Sequence, residues 1–431
     1  TAMPGTNDKQ VRRSKTNKLT SFLLRFLMLV LLNCSTLFKG GGVHAAVSFI
    51  RTALQQKDDI KWNFVLSRRV FDELQGFDLA KELSDVSVVE VSPARNSRSR
   101  DALRRLEKEI NPDVVFTFFG PAYVSFSKPH LCGVADGWVT HGGYWAWKTM
   151  RGIKDVSRSI CLVAYKAYMY RKADAWVTEA MIAKKGLARR LCIAERRIGI
   201  VPNNCGEHYL QTASFPRHTD LKGKLRILCM AAYYRHKNLE IIPAVAKALE
   251  ACMPGREFEF VLTLPPDIEA TGRILRYAQN LGVSHHLVNV GYVPVNNGPG
   301  LYKSCHLLFL PSVLETSSAN YPEAMAMGLP IVTVDLDFAR SICQQAALYF
   351  EPMNPSSAAS EIAKLWGDPA LWNRLVNKGK TVLAQIPSAA ERYEMYRKCI
   401  WQVFRFRRAA NLSFLQEAPA MEVFQGAVWR Q

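Results

Sequence analysis

Short apolar runs alternate with longer amphipathic ones along most of the chain. The first run, Ser21 to Leu32, leads through Gly40-Gly41-Gly42 into a helical pattern from Val43 to Gln55. Strand, glycine turn and helix in that order open a doubly wound α/β domain. The valines of 86–91 predict a second strand, Arg98 to Ile110 a charged helix, and Asp113 to Phe119 (DVVFTFF) a buried strand. Leu131 to Ala135, Ala175 to Thr178 and Ile198 to Pro202 read as further strands, with an apolar helix over Arg158 to Lys172. Such alternation predicts a mostly parallel sheet covered by helices.

A polar stretch, 206–224, interrupts the pattern, and a second series follows. Leu225 to Met230, Phe258 to Leu264, Leu287 to Val290, Leu307 to Leu310 and Ile331 to Val334 read as strands. Leu239 to Ala251, Arg273 to Gly282, Pro322 to Met327, Ser357 to Trp366 and Leu371 to Ile386 read as helices. The expected organisation is a basic extension (1–20), a first α/β domain (21–205), a linker (206–224), a second α/β domain (225–386), a helix (387–403) and a tail (404–431). Two such domains leave a cleft between them, and ligands of open α/β sheets sit beyond the strand C-termini.

Lys9, Arg12, Arg13, Lys15 and Lys18 ahead of the first apolar run also imitate a secretory signal. The run is broken by Arg25, is too short to cross a membrane, and ends in Asn33-Cys34-Ser35 with no clear small-x-small cleavage pattern. A buried first strand is therefore the expectation. Ten cysteines without a CxxC pair read as reduced thiols of a cytoplasmic protein, and no metal-ligand spacing joins them to the histidines.

Composition adds the charge. A chain of 431 residues with 48% hydrophobic and 22% charged positions is not a disordered chain, a collagen or a coiled coil. The net charge is +19, and residues 1–200 hold 33 basic against 18 acidic side chains, whereas 201–431 hold 23 against 19. An anionic partner is expected on the first domain. Between Ile160 and Arg190, aromatic and aliphatic residues mix with Lys166, Arg171, Lys172, Lys184 and Lys185. Such a segment is either a core helix with basic flanks or one lying on an anionic bilayer. Nucleic acid is not expected: Trp138, Tyr144, Trp145 and Trp147 are not interleaved with bases in a stacking pattern.

The densest chemistry lies in LPSVLETSSANYPEAMAMGLP, residues 310–330. Pro322 suits the first turn of a helix that Gly328 and Pro330 end. Glu323 then lies in that first turn, with Ser317, Ser318, Ala319 and Asn320 at the end where N–H groups can meet phosphate. Glu315 lies on the preceding loop. Taken singly, either acid reads as easily as a dipole partner of the helix or a solvated loop residue.

Together they form E-x7-E within P-S-x-x-E…P-E-A-M-A-x-G-x-P, which resembles the signature of retaining family-four glycosyltransferases of the GT-B fold, two Rossmann-like domains about a cleft. The resemblance, on a generous reading, spans Leu27 to Ile400. It implies that Glu323 binds the nucleotide ribose, that Glu315 binds donor-sugar hydroxyls, and that the anomeric configuration is retained without a metal ion. The donor would be a UDP- or GDP-sugar, with no permanently bound cofactor, and the acceptor a saccharide or lipid-linked sugar, for surface polysaccharide or glycolipid.

In AAYYRHKNL, 231–239, Lys237 matches the family lysine on the donor diphosphate. The family arginine five residues earlier is replaced by Ala232, and Arg235 is the nearest substitute. Gly41 and Gly42 resemble the loop whose backbone approaches phosphates or acceptor. Pro202-Asn203-Asn204 resembles the family's inter-domain element, and Gly291-Tyr292 its nucleobase region. Asp136 and His141 are acceptor-side candidates, while His130 reads as structural. Asp335-Leu336-Asp337 is a D-x-D placed behind the E-x7-E helix, where a metal role is not expected. Two rival readings are a GT-B nucleotide-sugar epimerase and a non-catalytic membrane- or nucleic-acid-binding protein. Peripheral attachment to the inner membrane's cytoplasmic face is the expected location.

Overall fold

The computed structural model describes residues 27–56, 59–76, 83, 85–212 and 223–412. Two parallel sheets organise it. The first, in the order β3-β2-β1-β4-β5-β6-β7, is built from β1 (Met28–Cys34), β2 (Ile60–Ser67), β3 (Val86–Val89), β4 (Val114–Thr117), β5 (His130–Val134), β6 (Ala175–Thr178) and β7 (Ile198–Ile200). The second, in the order β10-β9-β8-β11-β12-β13, is built from β8 (Leu225–Cys229), β9 (Phe258–Leu262), β10 (Leu287–Asn289), β11 (Leu307–Leu310), β12 (Ile331–Val334) and β13 (Ala347–Phe350). This is the α/β arrangement of the GT-B fold.

The first apolar run becomes β1, paired in parallel with β2 on one side and β4 on the other. A strand at the centre of a parallel sheet is covered on both faces, so its sequence is almost continuously apolar rather than alternating. Val30, Leu31 and Leu32 are fully buried. The strand also takes in Asn33, whose side chain donates to Thr117 Oγ1 at 3.2 Å and accepts from the Ser35 amide at 3.1 Å. Residues 21–26 of the expected strand, and the basic extension, lie outside the described residues.

The helix Gly41–Gln55 packs its apolar face on this sheet. Phe49 is its anchor, with ring centroids at 5.2 Å from Phe118, 5.5 Å from Trp62 and 5.4 Å from Tyr396. Tyr393 and Tyr396 belong to the helix Ala389–Leu412, which joins the first-domain core through these rings and Ile400. That helix runs nine residues past the expected boundary at 403, so the first part of the segment read as a tail is helical. The stretch read as a linker likewise opens with a helix, Glu207–Thr212, because Tyr209 is buried in the second core. Residues 213–222 are not described.

In the second domain β13 and the short helix Asp337–Cys343 were not expected. In the helix no apolar run exceeds two residues, too short to show a helical period, whereas the run Ala346–Phe350, followed by Pro352, does carry a strand signal.

The basic, aromatic segment divides in two. The helix Gly152–Tyr170 starts six residues before the expected Arg158, and Tyr170 is its buried residue. Ile153 is 84% exposed, and Ile160, Leu162 and Tyr168 are exposed as well. It is therefore not a core helix. The helix Met181–Leu191 does pack inward, and Lys184, expected on the basic surface, is buried there. No helix among the described residues is long and apolar enough to cross a membrane. All ten cysteines are free.

Candidate active site

Residues just past the C-terminal ends of β5, β6, β8 and β11 meet across the domain boundary. Parallel strands deliver their following loops to one edge, which is why residues distant in sequence converge there.

Glu315, on the loop after β11, is the centre. Its carboxylate accepts from Lys237 Nζ, with the two side chains only 10% and 15% exposed. Its main-chain carbonyl accepts from His141 Nε2 at 2.9 Å. A carbonyl can only accept, so Nε2 carries the proton, and Nδ1 accepts from the Thr140 hydroxyl at 2.8 Å. Burial is the main cause lowering the His141 pKa, so the ring is held neutral, with the Glu315 carbonyl opposing the shift.

Next to Glu315, Thr316 donates to Glu179 Oε2 at 3.0 Å. Glu179 follows β6 directly. Burial raises its pKa to about 7, against the opposing influence of Arg392 and the Thr316 hydrogen bond. It was not singled out from sequence, although an acid directly after a strand of a parallel sheet is in the position where ligands bind.

Glu323 lies in the helix Asn320–Ala326, which starts two residues before the expected Pro322. Tyr302 donates to Glu323 Oε2 at 3.0 Å, and Tyr209 also bonds this carboxylate. Burial raises its pKa to about 7 in spite of both bonds. Neither tyrosine was foreseen, because Tyr209 falls in the stretch read as linker. Ser317 and Ala319 are half-buried ahead of the helix, and Ser318 is buried. The Asn320 side chain is used structurally, donating to the Met230 carbonyl at the end of β8.

The loop after β8 crosses to the first domain. Arg235 pairs with Asp155 at 2.8 Å, while its Nη1 is buried with no protein partner. His236 accepts through Nδ1 from Trp138 Nε1 at 3.3 Å. Burial lowers its pKa to about 4. Tyr234 stacks on His236 at 5.5 Å and covers the glycine turn. A Cβ on Gly40 would come 3.1 Å from the Tyr234 hydroxyl, and Gly40 has φ +76°, which only glycine adopts freely. The conformational demand thus falls on Gly40. Gly41 opens the helix facing free space, and Gly42 packs against Leu37.

Asp136 is not free. Its Oδ1 caps the helix Gly137–Thr140 by accepting from the Trp138 amide at 3.1 Å, and its Oδ2 accepts from Lys166 at 2.8 Å. The capped helix carries His141 at its end and comes close to the second domain: a Cβ on Gly137 would lie 2.8 Å from Leu314 Cγ. His130 is buried on Thr117 at 2.8 Å, with its pKa lowered to about 3 by burial. Asp335 pairs with Arg340, its Oδ2 lying 2.7 Å from Nη2. Tyr292 is exposed and accepts from Arg69 of the first domain at 3.0 Å.

Comparison with known proteins bears on the fold that carries these residues. Residues 211–382 match the family described as glycosyl transferases group 1. The chain has the GT-B fold. An uncharacterized glycosyltransferase of Methanocaldococcus jannaschii is 31% identical over 102 residues, 23% of this chain. That match spans only 26% of the relative's length. A glycosyltransferase from Rickettsia africae superposes with TM-score 0.63 at 14% identity, over 88% of this chain and 99% of that one. The Anabaena protein HepE, solved with UDP and glucose, gives 0.62 at 13% identity over 86% and 98%. At such identities the structural likeness establishes the fold.

Proposed function

We propose that this glycosyltransferase moves a sugar from a UDP- or GDP-sugar to a saccharide or lipid-linked acceptor, with retention at the anomeric carbon. The observation that carries the reading is the contact of Lys237 with the Glu315 carboxylate where the two domains meet. A cation and a carboxylate side by side suit a ligand that is anionic at one end and hydroxylated at the other.

In this reading the donor separates the pair. Lys237 turns to the diphosphate, joined by the unpartnered Nη1 of Arg235, and Glu315 accepts hydroxyls of the sugar. Glu323 accepts from the ribose, steadied by Tyr302 and Tyr209. The backbone at Gly41 and Gly42 and at Ser317, Ser318, Ala319 and Asn320 lines the phosphates. The bond from the anomeric carbon to the diphosphate breaks as the acceptor oxygen bonds the same face. The acceptor proton passes to the departing phosphate oxygen. Positive charge in a dry cleft favours that leaving group, and Lys237 and Arg235 supply it without a metal ion. His141 positions the Glu315 loop and faces the acceptor side, and Asp136 shapes the helix that presents it.

Proton NMR of the first product from an α-linked donor tests the reading. An α product is expected, and a β product refutes retention. Donor epimerised with no acceptor present would favour the epimerase instead.

The same proposal places the enzyme on anionic membrane through the exposed helix Gly152–Tyr170 and the basic first domain, in surface polysaccharide or glycolipid synthesis at the cytoplasmic face. Ile153, Ile160 and Leu162 would enter the interface while cations meet the headgroups. Flotation with anionic liposomes at low salt is expected to carry the protein upward. Protein left in the soluble fraction would refute attachment.

A further inference from the structure

At the opposite edge of the second sheet, Glu250, His285 and His286 converge. Glu250 lies near the end of the helix Ile242–Cys252, and the histidines close the 3₁₀ turn Ser284–His286 that enters β10. His286 Nδ1 is 2.9 Å from the carbonyl of Phe258, the first residue of β9, and its ring stacks on the Phe258 ring at 3.8 Å. The carbonyl only accepts, so Nδ1 donates. In a neutral ring that leaves Nε2 as a lone pair, 3.1 Å from Glu250 Oε1. His285 Nε2 is 3.6 Å from the same oxygen. With that tautomer His286 Nε2 and Glu250 Oε1 are two acceptors facing one another, a contact that a proton or a cation between them satisfies, and His285 Nε2 lies near enough to join it.

We propose that Glu250 Oε1, His285 Nε2 and His286 Nε2 bind a divalent transition-metal ion. The three donor atoms lie within 4.8 Å of one another. Tetrahedral zinc with bonds of about 2.0–2.1 Å has neighbouring ligands roughly 3.3 Å apart, a spacing bracketed by the two measured distances. Imidazole with one carboxylate suits Zn²⁺, Co²⁺ or Ni²⁺ better than Mg²⁺ or Ca²⁺. A ligand histidine usually donates its other ring nitrogen to a carbonyl or carboxylate, as His286 does to Phe258. Lys247 holds the second oxygen, donating to Glu250 Oε2 at 2.8 Å. His285 is 65% exposed, which gives the ion a way in and leaves a position for water. The ion would clip the helix Ile242–Cys252 to the start of β10, away from the Glu315 cleft. The sequence hides the site, since adjacent histidines have no ligand spacing and Glu250 is 35 residues away.

The test is calorimetric titration of zinc chloride into chelator-treated full-length protein, with exposed Cys161, Cys192 and Cys252 replaced by serine. One equivalent should bind, and E250Q and H285Q should each weaken it at least tenfold. Because His285 is exposed, H285Q keeps the test valid if H286Q fails to fold. Co²⁺ should give the visible absorption of a four-coordinate site, lost in H285Q. No saturable binding at one equivalent, or equal affinity in both variants, would overturn the proposal.

Discussion

His141 of the first domain donates to the Glu315 carbonyl of the second at 2.9 Å, so a buried neutral imidazole sets the position of the catalytic candidate's backbone. Without the ring, the loop loses its only contact of this kind to the helix Gly137–Thr140 among the described residues. H141A should lower kcat roughly fivefold, as one lost positioning hydrogen bond is worth about 1 kcal/mol. H141Q, which can still donate, should recover part of the loss. Steady-state kinetics on both variants, with circular dichroism to check folding, measure this.

Glu179 gives a pH dependence. Its pKa is raised by burial to about 7, above the value of the unfolded chain, so the folded protein holds the extra proton between roughly pH 4.5 and 7. Its contribution is full below that window and is lost as pH rises through it. The effect is on the order of 3 kcal/mol, at 1.36 kcal/mol per unit. Urea unfolding from pH 5 to 8 should show stability falling with pH in this range, and E179Q should flatten the fall.

Glu323 carries the same kind of shift, to about 7. Ribose hydroxyls donate to a carboxylate and so favour its charged form. UDP binding near pH 6 should therefore release up to about one proton, and almost none above pH 8. Calorimetry in buffers of different ionisation enthalpy reads the number directly. E323Q should abolish the release and weaken binding.

Phe49 tests the fold. It joins the helix Gly41–Gln55 to Phe118, Trp62 and the returning helix through Tyr396. F49A should cost about 3–5 kcal/mol in denaturant unfolding, the usual range for a buried phenylalanine.

The fold was largely legible because continuous apolar runs such as Leu307–Leu310 separate cleanly from amphipathic helices. Lys237, Glu315 and Glu323 were singled out by the motif they share with a known family, and the structure brings the side chains of Lys237 and Glu315 together. Their environment was not legible. The bonds of Tyr302 and Tyr209 to Glu323, of Glu179 to Thr316 and of Trp138 to His236 join separate loops, and only tertiary packing brings these together. The same holds for Asp136, whose pairing with Lys166 and capping of Gly137–Thr140 no local pattern announces.

The central claim is that Glu315, beside Lys237, holds the donor sugar. The most direct measurement is turnover of a panel of UDP- and GDP-sugars by the native enzyme and by E315Q. Loss of one such electrostatic contact typically costs 10²–10³ in kcat, so a fall of about a hundredfold or more is expected on the donor the native enzyme uses. Near-normal turnover by E315Q would contradict the account.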